Sequence, residues 1–399
     1  MARLAEFGEG PLSRPKTIVV AALGTSQTLA WASSYYLPAV LGGPISAGLG
    51  LPTSAFFAVF SAALLLQAVV GPYIGTVIDR HGGRSVLTLS NLVLAAGLAT
   101  LGLAQGILGL AVAWFLLGIG MTMGLYDAAF AALTRLYGRE ARAAITGITL
   151  LAGFASTIGW PASAWFEHAF GWREACLIWA AVNLFIAMPL NWLLIPPVPP
   201  LPASGAEKGD TGHLAPPRGA MPILAFYFCT TAFVTGALQA HLLRFLETAG
   251  ASGAAAIIAG TLVGPAQVMA RLFEFGLMRA LHPVWSARIA ALMHPLGASL
   301  LGVLGPAGVA VFAIAYGAGN GGTLPLAIFG PSGYGLRTGL LSVPARLSVA
   351  AAPFLFGLLL DRVGILAVLL TVGLNLSAFG ALWLLRPGPA PRIAPAPGN

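Results

Sequence analysis

Residues 71–87 read GPYIGTVIDRHGGRSVL, and the reading of this stretch decides the fold. It is a short polar insertion between two apolar runs, 54–78 and 84–105. Each run is long enough to supply the roughly 20 helical residues that cross a bilayer core. Gly75 lets the first of these helices approach a neighbour closely. Asp79 stands where a carboxylate can meet the positive end of a helix dipole, and Gly82 and Gly83 permit a tight turn. Arg80 and Arg84 add positive charge to a short loop, the pattern that orients membrane helices.

The composition around this loop also demands a lipid solvent. Of 399 residues, 58% are hydrophobic and 8% charged, with a mean hydropathy of +0.87. Soluble domains carry about 25% charged residues, so this chain has too little charge to cover a surface in water. The secreted, disordered, coiled-coil and soluble-enzyme classes are excluded on that ground. The net charge of +8 and pI of about 10.0 do not imply a nucleic-acid partner. Lysine is nearly absent, and the arginines fall singly or in small groups between apolar runs rather than along one stripe. Cys176 and Cys229 lie in apolar runs near opposite ends of their helices, so no disulfide is expected, and neither has metal-ligand spacing. The polar N-terminus, MARLAEFGEGPLSRPK, precedes an apolar stretch without a small-residue cleavage site, which reads as an uncleaved first span.

Cutting the chain at charges, Gly/Pro clusters and polar turns predicts twelve spans. They run near 17–41, 54–78, 84–105, 107–133, 143–166, 173–195, 221–246, 253–279, 284–304, 307–330, 338–360 and 364–386. Residues 196–220, PPVPPLPASGAEKGDTGHLAPPRGA, are too rich in Pro, Gly and polar residues to be embedded. The expected organisation is therefore an all-α membrane protein of two six-helix bundles, 1–195 and 221–399, joined by a cytoplasmic linker at 196–220. With the N-terminus inside, the cytoplasmic basic residues are Arg3, Arg14, Lys16, Arg80, Arg84, Arg135, Arg139, Arg142, Lys208, Arg218, Arg279, Arg288, Arg337, Arg386 and Arg392. Only Arg173, Arg244 and Arg362 fall outside. This bias predicts cytoplasmic termini and linker, in a multi-pass cell (inner) membrane protein.

The spacing Gly75-x-x-x-Asp79-Arg80-x-Gly82-Gly83-Arg84 between the second and third spans resembles the signature loop of the major facilitator superfamily. Phe170-Gly171-Trp172-Arg173 at the opening of the sixth span and Arg139-Glu140-x-Arg142 in the fourth-to-fifth loop are similar to that family as well. Gly357-x-x-x-Asp361-Arg362-x-Gly364 repeats the signature spacing near the end of the eleventh span. The resemblance covers essentially the whole chain and implies alternating access around a central site, in a protein whose default state is a monomer. It implies that Gly75, Asp79, Arg80, Gly82, Gly83 and Arg84 form a latch between the halves when the cavity faces outward. The eighth-to-ninth loop, ARLFEFGLMRALHP, departs from the pattern. WFLLG at 114–118 lacks the arginine of drug/proton antiporters, and their fifth-span element is reduced to Gly159-Trp160-Pro161. Sugar-porter and nitrate-porter signatures are absent, as is the first-span signature of eukaryotic monocarboxylate carriers.

An ionisable residue at a span centre costs about 2.5–3.5 kcal/mol on insertion scales. Asp127, Arg271, Glu274 and Arg346 therefore need reasons. Asp127 reads either as a proton site or substrate-cation partner, or as a structural acid neutralised by Arg84 or Arg135. Arg271 and Glu274, three residues apart, either neutralise each other or present a cavity arginine beside a titrating acid. Arg346 either locks to Asp79 or another acid, or offers a forked donor set to a carboxylate. Two arginines against one clearly buried acid in the N-terminal half tilt the cavity towards an anion. His241 and His294 read as structural or transport histidines. Trp31, Gln67, Tyr126, Gln239, Gln267 and Asn320 are the remaining cavity candidates, whereas Tyr35 and Tyr36 read as an interfacial belt.

The expectation is a secondary active transporter, a proton-coupled symporter or antiporter of a small organic, monocarboxylate-like solute. The alternative is proton-driven efflux of a drug or metalloid species. A membrane enzyme or non-transporting receptor is the remote rival, because no Walker loop, metal cluster or Ser/His/Asp arrangement and no cofactor signature appears.

Overall fold

The computed structural model describes residues 15–198, 220–276, 283–320 and 334–385, and these form helices with no strand among them. Most of the expected linker, the end of the tenth span, and Arg3, Arg14, Lys208, Arg218, Arg279, Arg386 and Arg392 lie outside the described residues. Among the described residues, nine helical segments are long and apolar enough to cross a membrane. Two of these contain a reversal: Val284–Gly319 turns at Gly305 (φ 58°) and Val343–Trp383 turns at Gly364 (φ 57°). Ahead of the nine, Lys16–Ser33 and Leu37–Gly48 form one more passage, broken near Tyr36. The arrangement is consistent with the twelve expected spans.

The outer faces are apolar, with Leu108 80% and Val303 83% exposed, as lipid-facing side chains are. Inside, small residues let helices touch without a hydrophobic driving force between them. A Cβ on Gly159 would stand 2.8 Å from that of Ala32, and one on Gly118 2.9 Å from the Ala63 carbonyl.

The signature loop folds as expected at Gly82, which sits at φ 84° and ends the helix Thr53–His81. Gly83 is needed for packing rather than for the turn: a Cβ there would stand 2.1 Å from Ala132 Cβ. Gly75 corrects the expectation of a close approach, since a Cβ there meets nothing within 4 Å. The physical reason is that Pro72, Tyr73 and Thr76 are exposed, so this end of the second span stands clear of its neighbours. Asp79 and Arg80 are exposed too. The Asp79 backbone carbonyl, rather than its carboxylate, accepts a bond from Arg135 Nε at 3.3 Å.

Two arginines at corresponding places carry the internal repeat. Arg84, opening the third span, lies over the Trp192 ring of the sixth span at 4.3 Å. Arg288, near the start of the ninth span, lies over the Trp383 ring of the twelfth at 4.0 Å. Arg288 also donates to the Leu382 carbonyl at 2.9 Å, satisfying an orphan acceptor at a helix C-terminus. Arg173 plays the same part elsewhere, donating to the carbonyls of Gly102 (2.9 Å) and Ala104 (2.7 Å).

Four buried apolar clusters show how the halves meet. At the end away from Asp79, the N-terminal cluster takes in Ala240 and Ala350 of the C-terminal half. The C-terminal cluster there takes in Tyr36, Ala155 and Trp160 of the N-terminal half. At the Asp79 end, one cluster (Val19, Ile78, Leu133, Ile148) belongs to the N-terminal half alone. The other (Leu224, Val284, Leu341, Leu382) belongs to the C-terminal half alone. Among the described residues, the halves are thus joined at one end and separate at the other. The seam itself pairs the second span with the eleventh, the fifth with the eighth and the first with the seventh. Its bonds run from the Phe354 amide to Ser61 Oγ (3.2 Å), from Thr157 Oγ1 to the Thr261 carbonyl (2.9 Å), and from Gln239 Nε2 to Tyr36 Oη (3.4 Å).

Candidate functional site

Two adjoining cavities, of about 360 and 400 Å³, share Thr235, Gln239, Ala345 and Val349 as walls; the first lies between the halves and the second is lined by the C-terminal half. The first is lined by Trp31, Tyr35, Gln67, Tyr126, Asp127 and Arg346 among others. The second is lined by Gln267, Arg271, His294, Tyr316 and Asn320 among others. The charged side chains of the two walls, among the described residues, are one acid and two arginines.

The acid owes its position to a break in the fourth span. The helix Ile107–Gly124 stops at Leu125, whose ψ of −169° is extended, and a new helix, Tyr126–Tyr137, begins. The expected span over 107–133 is present, within Ile107–Tyr137, and carries this break inside it. Gly124 lets the end of this helix pack closely on the third span, since a Cβ there would stand 2.4 Å from Ser90 Oγ. The Gln27 side-chain amide donates to the Gly124 carbonyl and occupies an acceptor the broken helix leaves over. Asp127 consequently falls in the first turn of the new helix, where the dipole favours negative charge.

Arg346 Nη2 bonds Asp127 Oδ2 across the halves at 2.9 Å, with the aspartate 68% and the arginine 34% exposed. This settles both open pairings: the partner of Asp127 is neither Arg84 nor Arg135, and the partner of Arg346 is not Asp79. Gly71 leaves room for the guanidinium, since a Cβ there would stand 2.8 Å from Arg346 Nη1.

Arg271 Nη1 donates to the Thr149 carbonyl of the fifth span at 3.1 Å. The charge of its guanidinium also acts on the nearby Tyr126 hydroxyl. Adjacent residues 126 and 127 therefore each face one of the two arginines. Glu274 corrects the expected pairing with Arg271: its carboxylate accepts from Ser286 Oγ at 2.8 Å. It faces a separate cavity of about 420 Å³ between the eighth, ninth and tenth spans, which shares Arg271 and Ala290 with the central one.

Of the other candidates, Trp31, Gln67, Tyr126 and Asn320 line the central cavities, and Asn320 Oδ1 accepts from Thr235 Oγ1 at 3.2 Å. His241 does not. It is buried among the second, seventh and eleventh spans, its Nε2 2.7 Å from the Pro353 carbonyl and its ring 4.0 Å from that of Phe57. His294 lines the larger cavity with Nε2 2.8 Å from Thr371 Oγ1. Tyr35 and Tyr36 correct the belt reading, being 6% and 8% exposed. The span bends at this pair and turns both rings inward, against Trp31 and, for Tyr36, Trp160. Tyr316, which sequence reasoning missed, donates to the Thr235 carbonyl at 3.2 Å and lines the cavity. Its signal was a lone polar ring in the small-residue run AIAYGAGN.

Paired helix sets enclosing a polar, charged cavity within an apolar exterior define a multi-pass membrane transporter. The family model of the Major Facilitator Superfamily matches residues 23–329, and the chain belongs to that superfamily. It is a secondary transporter rather than an enzyme, and its substrate is a small molecule. Among solved structures, the crystal structure of the human organic anion transporter MFSD10 (TETRAN) is similar. The match has a TM-score of 0.64 at 19% identity and covers 93% of this chain and 100% of that one. Compared with curated proteins by sequence, the chain finds no match.

Proposed function

We propose that this protein carries a small organic anion together with protons, by alternating access of the central cavity. Two six-helix bundles, 1–195 and 221–399, would move about the seam, with the linker at 196–220 and both termini cytoplasmic. The protein would work as a monomer in the cell (inner) membrane. The observation that carries the reading is the ion pair between Arg346 and Asp127, one partner from each half, on the cavity wall.

The chemistry follows from charge. With Asp127 ionised, Arg346 is occupied and only Arg271 leaves the cavity a net positive charge. A proton on Asp127 frees Arg346, so the cavity gains a second unpaired guanidinium and an anion becomes the natural counter-ion. Proton and anion then enter together, and the loaded site is electrically close to the empty one. Because loading leaves the net charge of the site unchanged, it adds no electrostatic cost to reorientation in a protein with so little embedded charge. The human organic anion transporter that shares the fold supports the sign of the solute. Asp79, Arg80 and Arg84, with Gly75, Gly82 and Gly83, would close the now separate end in the opposite orientation.

The test is uptake by proteoliposomes across a panel of carboxylates under an imposed pH gradient. Flux should rise with acid on the side of solute entry. Asp127→Asn should abolish this dependence and Arg346→Ala should abolish saturable anion flux. A pH dependence that survives Asp127→Asn, or preferred export of cationic compounds, would refute the reading.

A further inference from the structure

We propose that the solute is an aryl carboxylate: its carboxylate sits between Arg346 and Arg271 and its ring lies against Trp31 and Tyr126. This rests on the anion reading above and adds the body of the molecule to its charge.

The positive pole and the aromatic wall are contiguous. Arg346 bonds Asp127 beside Tyr126, and Arg271 lines the adjoining cavity across the shared walls Thr235, Gln239, Ala345 and Val349. The Tyr126 ring centroid is 4.9 Å from that of Trp31 with the planes 49° apart, and Trp31 is 5.1 Å from Tyr35 at 56°. Tyr126 is stacked on Phe130 on one side (5.2 Å, 13°), yet it and Trp31 are only half-buried and both line the cavity, where a further ring continues the edge-to-face pattern that aromatic quadrupoles prefer. Met121 lies on the same wall, and a thioether is a favourable neighbour for an aromatic edge.

Size points the same way. A cavity of about 360 Å³ falls in the range that takes small-molecule ligands, ~300–1,000 Å³, lined mostly by apolar and aromatic groups with a few polar anchors. A two- or three-carbon acid would satisfy the arginines and leave the aromatic wall wet. An aryl carboxylate fills both ends, with its charge at one pole as the wall's is.

Calorimetric titration of the full-length protein in detergent, at one pH, compares benzoate, lactate and the neutral benzamide. Benzoate should bind about tenfold more tightly than lactate, as one well-placed aromatic contact allows, and more tightly than benzamide, which lacks the charge that the arginines take. Trp31→Leu should bring the benzoate-to-lactate ratio towards one, whereas Trp31→Phe should retain most of it. Lactate binding as tightly as benzoate, or a ratio untouched by Trp31→Leu, would overturn the aryl assignment and leave the anion reading standing. Benzamide binding as tightly as benzoate, with no effect of Arg346→Gln, would overturn both, as would no binding by any of the three.

Discussion

Arg346 reaches from the eleventh span to Asp127 in the broken fourth span, closing a 2.9 Å ion pair between the two halves. Because Asp127 is 68% exposed, solvent screens the pair, and exposed pairs contribute about 0–1 kcal/mol. Asp127→Asn should therefore leave the melting temperature of the purified protein within a few degrees of the native value. Its effect belongs to the pH dependence of flux, and a large loss of stability would show that the pair is a structural brace.

The three glycines of the signature loop separate by role when each is replaced. Gly82→Ala forces a side chain into φ 84° beside the Val198 carbonyl, which costs about 1–2 kcal/mol. Gly83→Ala drives a methyl group onto Ala132, an overpacking of about 1–3 kcal/mol. Gly75→Ala meets nothing and removes a flexible residue from a helix interior, worth up to about 1 kcal/mol in the stabilising direction. Thermal melts should thus fall for the first two and hold or rise for the third. If Gly75 packs closely only when the Asp79 end is shut, Gly75→Ala should nevertheless slow transport.

Much of the fold was legible because spans are a local property: twenty apolar residues bounded by charge announce themselves, and Gly82 announces its turn. The break at Leu125 was not, since the amide of Gln27 that accommodates it and the hydroxyl of Ser90 that packs on Gly124 belong to other spans. Pairings failed for the same reason. Arg271 and Glu274 share a helical face by spacing, yet one is drawn to the Thr149 carbonyl and the other to Ser286. Tyr35 and Tyr36 looked interfacial because Pro38 announces a bend but not its direction, which is set by packing of Tyr36 on Trp160 in another span. The cavity aromatics and Asp127 were found because polar groups in an apolar run are conspicuous. Their partners had to come from the structure.

Arg288 should behave as a buried structural arginine despite lying near a helix end. It is 3% exposed, packed against the Trp285 and Trp383 rings, which stand at 88° to each other, and bonded to the Leu382 carbonyl. Arg288→Ala strands that carbonyl, a loss of about 1–3 kcal/mol, to which the lost ring contacts add. Arg288→Lys should rescue poorly, because a compact ammonium lacks the planar, delocalised face that meets the Trp383 ring while its edge donates to the Leu382 carbonyl. Melting curves of the two variants, set beside Arg84→Ala at the repeat-related site, measure this. Equal stability of the lysine and native forms would rule the stacking out.

The seam at the joined end makes the orientation of the cavity adjustable. Gly264 of the eighth span packs against the fifth, and a Cβ there would stand 2.3 Å from Thr157 Oγ1 and 2.7 Å from the Gly153 carbonyl. A backbone carbonyl cannot step aside as a side-chain tip can, so Gly264→Val must part the two spans where the halves are joined. Parting them raises the energy of this orientation by about 1–3 kcal/mol, while an orientation with that end open escapes the clash. A shift of that size changes the ratio of the two orientations by tenfold or so. With Cys176 and Cys229 replaced by serine and Asp127 by cysteine, a membrane-impermeant thiol reagent added from the Asp79 side should label the cavity readily. Adding Gly264→Val should slow that labelling several-fold. An unchanged rate in a variant that still folds would mean that the seam between the fifth and eighth spans does not govern access.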